Sequence, residues 1–203
     1  MSQLAVRVAE VPEASVSGEW LRHAELRYAS SALEGHTRGG RWSSRGGFPA
    51  LYLGRPHDSV VVEAYRHLVD PVVFDSDAEQ TTFMGGLVPR IAVSCTVNVT
   101  GILDLRTALG RAQAGLTPQD LECATTDADG YTRCQEVAQV AHQLRRNGLI
   151  APAATGVGET LVLFMDLLPK AQRPERGAES VWSKWPADPR ATGPALRLVR
   201  DGD

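Results

Sequence analysis

The pattern of hydrophobic and polar positions predicts several short strands. The stretch Arg90–Val99 alternates apolar and polar residues and is rich in β-branched side chains, which favours a strand, and residues 102–105 continue it after a glycine. Residues 50–53 and 161–164 are short, uninterrupted apolar runs of the kind found in buried strands. Strands of these two kinds together indicate a sheet with a covered face.

Three further segments predict helices. Asp58 and Ser59 are good N-cap residues, and the sequence behind them predicts a helix of about ten residues. Residues 134–147 carry apolar side chains at helical spacing and end at an Asn-Gly pair, which is a common helix stop. Residues 106–122 predict a third helix with a break near Gly115.

The remaining segments predict little regular structure. We expect residues 1–19 to form an N-terminal extension without a firm element, and residues 20–31 to form a short strand or a loop. Residues 35–49 contain too many glycines for a regular element, and residues 70–90 predict a long loop with room for a helical turn. A late edge strand is predicted over residues 196–199. The mixture of short strands and helices favours an α+β or mixed α/β domain.

Length and charge limit the class of protein. A chain of 203 residues with 43% hydrophobic composition suits one globular domain. The formal net charge is -3, whereas nucleic-acid-binding domains usually have a basic face and a high pI. We therefore expect no direct binding of nucleic acid.

Cysteine usage and the N-terminus favour a cytoplasmic protein. The chain has 3 cysteines and no CxxC pair, so neither a disulfide framework nor a zinc site is expected, and the histidines lack ligand spacing. The first twenty residues carry acids and no long apolar core, unlike a signal peptide. There is no apolar run of about 18 residues, so we expect no membrane span.

Candidate chemistry concentrates in the first third of the chain, where polar groups follow one another between glycines. Its members are Arg27, Tyr28, Gly39, Gly40, Arg41, Trp42, Tyr52 and Glu63. Arginine forks suit pyrophosphate, aromatic faces suit a nicotinamide ring, and glycines let backbone amides approach a ligand closely. A fixed carboxylate such as Glu63 would stabilise the positive charge that develops on ribose when an N-glycosidic bond breaks.

Each of these residues also has a structural explanation. The arginine at position 27 is typical of a surface, the glycines of a turn, the aromatics of a core, and the glutamate of a solvated helix face.

Other enzyme classes have less support. The glycines do not form GxGxxG at the start of a helix, GVGET lacks the lysine of a P-loop, and no nucleophile motif accompanies the histidines.

Three blocks of sequence together resemble the RES-domain family. They are LRYAS, GGRWSSRGGFPALYLG and SVVVEAYRHL, and a later block, NGLIAPAATGVGETLVLF, resembles the C-terminal part of the family. The resemblance covers roughly residues 20–165. It implies an α+β, ADP-ribosyltransferase-like fold in which NAD binds in a cleft between two small sheets flanked by helices. On this basis we divide the chain into an extension (1–19), a RES domain (20–168) and a C-terminal segment (169–203) that packs on the same domain.

The resemblance also implies roles for individual residues. Arg27 and Arg41 correspond to arginines that face the NAD phosphates, Tyr28 and Tyr52 to pocket tyrosines, and Glu63 to the glutamate that stabilises the ribosyl cation. Gly39, Gly40 and Trp42 belong to the same NAD-binding block. The chain departs from the family at Ala153, where many members have serine, and at Ser43, where asparagine is usual.

The function implied by the resemblance is that of a toxin in a bacterial type II toxin–antitoxin system. Such a toxin degrades NAD by hydrolysis or by phosphorolysis, with NAD as substrate, inorganic phosphate as a candidate co-substrate and no metal. Its partner would be an Xre-like helix-turn-helix antitoxin. Two alternatives remain at this point: a mono-ADP-ribosyltransferase that modifies a protein, and a binding protein whose site has decayed, for which Ala153 is the support.

Overall fold

A computed structural model describes residues 2–123 and 130–192. Within these residues the chain forms six α-helices and six strands, joined by short turns and 3-10 segments. Their order is α1 (Gln3–Ala9), β1 (Glu13–Glu25), β2 (Ala50–Arg55), α2 (His57–Leu68), α3 (Asp77–Gly85), β3 (Arg90–Asp104), α4 (Ala108–Ala114), α5 (Pro118–Glu122), α6 (Thr132–Gln143), β4 (Gly148–Pro152), β5 (Glu159–Phe164) and β6 (Glu175–Trp182).

The described strands form one sheet that closes on itself. The strand order is β1-β2-β5-β4-β3-β6, and β1 also pairs with β3, so β1 to β5 make a small barrel, while β6 pairs with the first part of β3, which β4 leaves free. The predicted division into two small sheets is therefore wrong for the described residues. The reason is the length of β1 and β3, which pair antiparallel from Glu13↔Leu103 to Glu25↔Arg90 and leave neither strand with a free edge along that side.

Residues 1–19 contribute to the domain more than their sequence suggested. They contain α1 and the first half of β1, and the boundary predicted at residue 20 falls inside that strand. Val8 of α1 is fully buried, and Arg7 donates hydrogen bonds to the carbonyls of Ala112 and Gln113 at the end of α4. Directly after β1, residues Leu26–Tyr28 form a short 3-10 helix.

Apart from α1 and α3, the helices agree with the sequence patterns. The break predicted near Gly115 separates α4 from α5, and this glycine has a φ of 77°. Residues 70–90, predicted as a loop, contain α3, which begins behind Ser76 because its hydroxyl accepts a hydrogen bond from the backbone of Glu79 at 3.2 Å. The C-terminal segment continues the sheet through β6, whereas the predicted strand at residues 196–199 lies outside the described residues.

Three apolar layers fix the elements that carry the candidate residues. Trp20, Leu53 and Leu161 belong to the cluster inside the barrel. A second cluster lies between the barrel and α1, α4, α5 and α6, and a third joins α2 to β3 and β6. Because α2 is packed against strands on its valine face, its polar face is left to line a cleft at the side of the barrel.

Candidate active site

A cleft of about 300 Å³ opens between β1, β2, α2 and the loop that precedes β2. Six of the eight predicted site residues line it: Gly39, Gly40, Arg41, Trp42, Tyr52 and Glu63. Further lining residues come from the strands and from the segment after β4, namely Leu21, Arg22, His23, His36, Leu53, Gly54, Ser59, Val60, His67, Arg90, Tyr131, Pro152, Ala154 and Thr160. The cleft therefore joins segments that are far apart in sequence.

The glycine loop is shaped around the ring of Tyr52. A Cβ atom at Gly40 would lie 2.8 Å from the Tyr52 hydroxyl, so only glycine leaves room for this ring. That hydroxyl accepts a hydrogen bond from the Trp42 backbone at 3.0 Å and lies 2.9 Å from the Ser43 hydroxyl. Burial raises the pKa of Tyr52 to about 12, although both hydrogen bonds act to lower it. Tyr52 is thus a neutral, fixed group at neutral pH.

The two neighbouring aromatic side chains have different surroundings. Trp42 is almost completely buried and belongs to the apolar cluster beneath the barrel, so one part of it packs in the core while another lines the cleft. His36 stacks on Tyr52 with ring centroids 6.1 Å apart and planes within 14° of parallel. Together these rings provide an apolar surface suited to a flat heteroaromatic group.

Two arginines on paired strands give the cleft its positive charge. Arg22 on β1 donates to the Tyr52 carbonyl at 2.9 Å, and its buried Nε has no hydrogen-bond partner among the described residues. Arg90 at the start of β3 donates to Nδ1 of His23 at 3.0 and 3.1 Å. Neither guanidinium forms a salt bridge within the part of the chain that the structure describes. The acid nearest in sequence, Glu25, is paired with Arg27 at 2.7 Å.

The positive groups on these strands alter one another's protonation. Burial, assisted by the charges of Arg38 and Arg90, lowers the pKa of Arg22 to about 10, so that it stays charged at neutral pH. Burial and the charges of Arg90 and Arg22 lower the pKa of His23 well below its ordinary value. His23 is therefore neutral, and because Nδ1 accepts from Arg90, its proton is on Nε2. This wall of the cleft is electropositive and suited to an anion.

Glu63 lies on α2 with 39% of its side chain exposed to the cleft. Its Oε1 is 2.8 Å from Nε2 of His67, one helical turn later, and its Oε2 is 3.9 Å from Arg66. Burial acts to raise the pKa of Glu63, but the hydrogen bond from His67 and the charges of His67, Arg66 and Arg41 outweigh it and lower the pKa. Glu63 is consequently an ionised carboxylate at neutral pH, held in position by its own helix.

Arg41 does not present a free guanidinium to the cleft. Its Nη1 is 2.8 Å from the carbonyl of Asp120 and 2.8 Å from the sulfur of Cys123, and its Nη2 donates to the Cys123 carbonyl at 2.9 Å. Its guanidinium also lies 4.6 Å from the ring centroid of Tyr131. Arg41 thus fastens the glycine loop to the end of α5, whereas the family resemblance predicts that its donors face a ligand.

Arg27 and Tyr28, the other two predicted site residues, do not line the cleft. The side chain of Arg27 is 65% exposed, pairs with Glu25 and lies over the ring of Tyr28. Tyr28 is also exposed, and Arg38 lies 5.3 Å from its ring centroid. The role of Arg27 at the NAD phosphates stays a prediction, whereas Arg22, five residues earlier, lines the cleft. A charged residue on a strand such as Arg22 gives no local sign of facing inward.

The segment after β4 brings Pro152 and Ala154 to the cleft but not Thr155. Ala153 is buried, with its backbone amide donating to the Gly158 carbonyl at 3.0 Å. The Thr155 hydroxyl donates to the Val157 carbonyl and accepts from the Val157 amide, so it is occupied within its own turn. Thr155 therefore does not supply the hydroxyl that a serine at position 153 would have carried.

Sequence reasoning also missed His23, His67 and Arg90. For His67 a signal was present, since a histidine four residues after a glutamate on a helix lies within hydrogen-bond reach of it. For Arg90 and His23 the signal is absent, because their meeting depends on the register between β1 and β3, where His23 pairs with Ala92.

A closed barrel with an electropositive wall, an ionised carboxylate and a glycine–arginine–tryptophan loop defines the class of protein. The sequence model of the RES domain family matches residues 18–186, and the chain belongs to that family. It is a RES domain with mixed α and β content whose sheet closes into a small barrel.

Individual relatives are known. Over 128 residues the chain is 34% identical to the NAD(+) phosphorylase MbcT of Mycobacterium bovis and, equally, to MbcT of Mycobacterium tuberculosis. The match covers 62% of this chain and 61% of each relative, which is less than two thirds of their length. The crystal structure of the M. tuberculosis MbcT–MbcA toxin–antitoxin complex is similar with a TM-score of 0.72, over 88% of this chain and 91% of that one, at 23% identity. That likeness establishes the fold.

The described residues include neither a membrane-spanning helix nor a cluster of metal-binding side chains. No helix among them is long and apolar enough to cross a membrane. No group of three or more histidine, cysteine, aspartate or glutamate side chains within the same residues could hold a metal ion.

Proposed function

We propose that this chain degrades NAD by breaking the bond between nicotinamide and ribose, with inorganic phosphate as acceptor. The observation that carries the proposal is the division of charge in the cleft. Arg22 and Arg90 lie there without a salt bridge among the described residues, and the ionised Glu63 lies on α2. NAD has the complementary arrangement, because its pyrophosphate is anionic and its ribose becomes cationic as nicotinamide leaves. The name NAD(+) phosphorylase, borne by relatives at 34% identity, supports the same reaction.

In the proposed reaction the glycosidic C–N bond breaks and its electron pair goes to nicotinamide, which leaves as a neutral molecule. The positive charge that remains on the ribose is stabilised by the Glu63 carboxylate. A phosphate oxygen then forms the new bond to the ribose carbon, giving ADP-ribose phosphate. Water in place of phosphate would give ADP-ribose, and a protein side chain would give an ADP-ribosylated protein.

The site residues take revised roles in this proposal. Arg22, assisted by Arg90, meets the pyrophosphate in place of Arg27, which is instead paired with Glu25. Arg41 supports the glycine loop and lowers the pKa of Glu63 through its charge. Tyr28, which does not line the cleft in this structure, remains a predicted NAD contact.

The remaining groups shape the substrate pocket. Trp42, Tyr52 and His36 supply the surface for the nicotinamide ring, and Gly39 and Gly40 allow the loop to approach it. Gly39 has a φ of 89°, which glycine adopts without strain. We also propose that the fold is similar to that of the ADP-ribosyltransferases, as the sequence resemblance implies, since those enzymes break the same bond.

The proposed biological role is that of a toxin in the bacterial cytoplasm, restrained by an Xre-like helix-turn-helix antitoxin. The support is the family and the similarity in fold to a toxin that was crystallised with its antitoxin. Expression of the chain alone should arrest bacterial growth, and co-expression with its genomic neighbour should restore it. Harmless expression of soluble, intact chain would refute the role as a toxin.

The enzymatic proposal is tested by incubating the purified chain with NAD in parallel with phosphate, without phosphate, and with added bacterial proteins. Mass spectrometry of the products separates ADP-ribose phosphate, ADP-ribose and modified protein. We expect nicotinamide release to depend on phosphate. Release at equal rates without phosphate would identify a hydrolase, label on protein would identify a transferase, and intact NAD in all three reactions would refute NAD degradation.

A further inference from the structure

Two of the three cysteines lie together at the end of α5 and the start of α6. The Cys123 and Cys134 thiols are 3.5 and 3.4 Å from the same atom, the carbonyl oxygen of Asp120. Their sulfur atoms are therefore no farther apart than the sum of these two distances. A disulfide would require the two sulfur atoms to close from at most this separation to about 2.05 Å.

The two thiols differ in access to solvent. Cys123 is partly exposed and lines a surface depression together with Gln119 and Gly130. Cys134 is fully buried, and burial raises its pKa to about 12 although the nearby Arg41 guanidinium acts to lower it. An oxidant in solution would therefore reach Cys123 first and find Cys134 as a protonated thiol directly behind it.

Arg41 connects this pair to the cleft. Its Nη1 lies 2.8 Å from the Cys123 sulfur and 2.8 Å from the same Asp120 carbonyl. Arg41 therefore contacts both the Cys123 sulfur and the carbonyl that the two thiols share, so a bond that draws the Cys123 sulfur toward Cys134 would disturb the position of its guanidinium. The loop that Arg41 fastens also holds Tyr52 and Trp42 in the cleft.

We propose that Cys123 is a redox-modification site that forms a disulfide with Cys134, and that this bond slows NAD cleavage by displacing Arg41. The oxidant is a peroxide. The Cys123 thiolate attacks one peroxide oxygen, the O–O bond breaks, and water leaves after taking up a proton, which gives a sulfenic acid. The Cys134 sulfur then attacks that sulfur, the S–O bond breaks, and a second water leaves with the Cys134 proton. The effect on activity rests on the function proposed above, whereas the disulfide does not.

The disulfide is tested on the whole chain treated with hydrogen peroxide and analysed by intact mass and peptide mapping. We expect the loss of two hydrogen atoms, mapped to Cys123 and Cys134 and reversed by dithiothreitol. The Cys123→Ser and Cys134→Ser variants should not lose this mass. Cys95→Ser is the matched control, because Cys95 lies inside the barrel cluster and should leave the disulfide unaffected. Oxygen addition without a Cys123–Cys134 link would overturn the proposal.

The effect on the cleft is tested by the rate of nicotinamide release before and after oxidation, each variant being compared with its own reduced state. We expect oxidation to slow the original chain and Cys95→Ser by about tenfold or more, the loss expected for one hydrogen bond to a charged group. The Cys123→Ser variant should keep its rate. An active reduced chain whose disulfide leaves the rate unchanged would refute the coupling alone. An inactive reduced chain would instead refute the proposed function.

Discussion

Replacing Glu63 with glutamine isolates the charge that the proposed mechanism requires. Glutamine keeps the length of the side chain and can still hydrogen-bond His67, which lies 2.8 Å away, so the geometry of α2 should survive. Only the negative charge facing the ribose is lost. That charge acts chiefly in the transition state, because bound NAD carries no cation at that carbon, so kcat should fall while KM changes little.

The expected magnitudes separate catalysis from stability. Loss of one well-placed electrostatic group typically lowers the rate by about 10²–10³. The ion pairs of Glu63 with His67 and Arg66 are within one helix and partly exposed, and pairs of this kind contribute about 0.3–0.5 kcal/mol each. The free energy of unfolding should therefore fall by less than about 1 kcal/mol, which for a chain of this size moves Tm by about 2–4 °C at most.

The assay measures nicotinamide release at saturating NAD and the thermal midpoint on the same preparations. Glu136→Gln is a matched control, because Glu136 is an exposed acid on α6. We expect this control to keep both values. A folded Glu63→Gln protein that releases nicotinamide at the original rate would refute the mechanism, and a large fall in Tm together with activity would make Glu63 a structural residue.

Four further outcomes are expected. Arg22→Lys should weaken NAD binding by about tenfold or more, since lysine loses the planar fork, whereas Arg27→Lys should leave the Kd from calorimetry unchanged; equal effects would argue against the revised arginine assignment. Gly40→Ala should lower the free energy of unfolding, measured by chemical denaturation, by about 1–3 kcal/mol because its Cβ would meet the tyrosine ring. Gly85→Ala, with open space around its Cβ, should lower it less, and similar values for the two variants would contradict the packing. Because the pKa of Glu63 is lowered, its carboxylate stays charged until the pH falls below the ordinary pKa of glutamate, and its contribution to kcat should be lost only below that pKa. A fall in kcat that begins above about pH 5 in a plot of kcat against pH would contradict this. Nicotinamide release should persist in a chelator, and its loss there would show a metal requirement.

Local sequence patterns were sufficient to predict the cleft residues that come from one continuous segment. The glycines at 39 and 40, Tyr52 and Glu63 belong to a continuous stretch of loop, strand and helix, and the structure places all four in the cleft. The missed α3 also had a local signal, since Ser76 three residues before Glu79 is a typical helix start. The glycines and prolines of residues 70–90 favour a loop, and they hide this helix signal.

Nonlocal pairing explains the rest. Whether Arg22 faces the cleft depends on its partner across the sheet, Val93, and on the closure of the barrel by β1 and β3. No nearby residue encodes that register, so an inward arginine on a strand has the same sequence signature as a surface one. The same closure replaced the two expected sheets with one, and the contacts of Arg41 with Cys123 likewise join residues 82 positions apart.

The two guanidinium groups on β1 and β3 also bear on how long the chain survives in a cell. Arg22 and Arg90 form no salt bridge among the described residues, and the charge of Arg90 acts to lower the pKa of Arg22, so a bound pyrophosphate would stabilise this part of the fold. A ligand that binds only the folded state protects it in proportion to its concentration relative to Kd. We therefore expect NAD to shield the chain from proteases. In the proposed function the chain consumes NAD, so it would lose that shield as NAD falls and be degraded sooner, which would limit the duration of its own action.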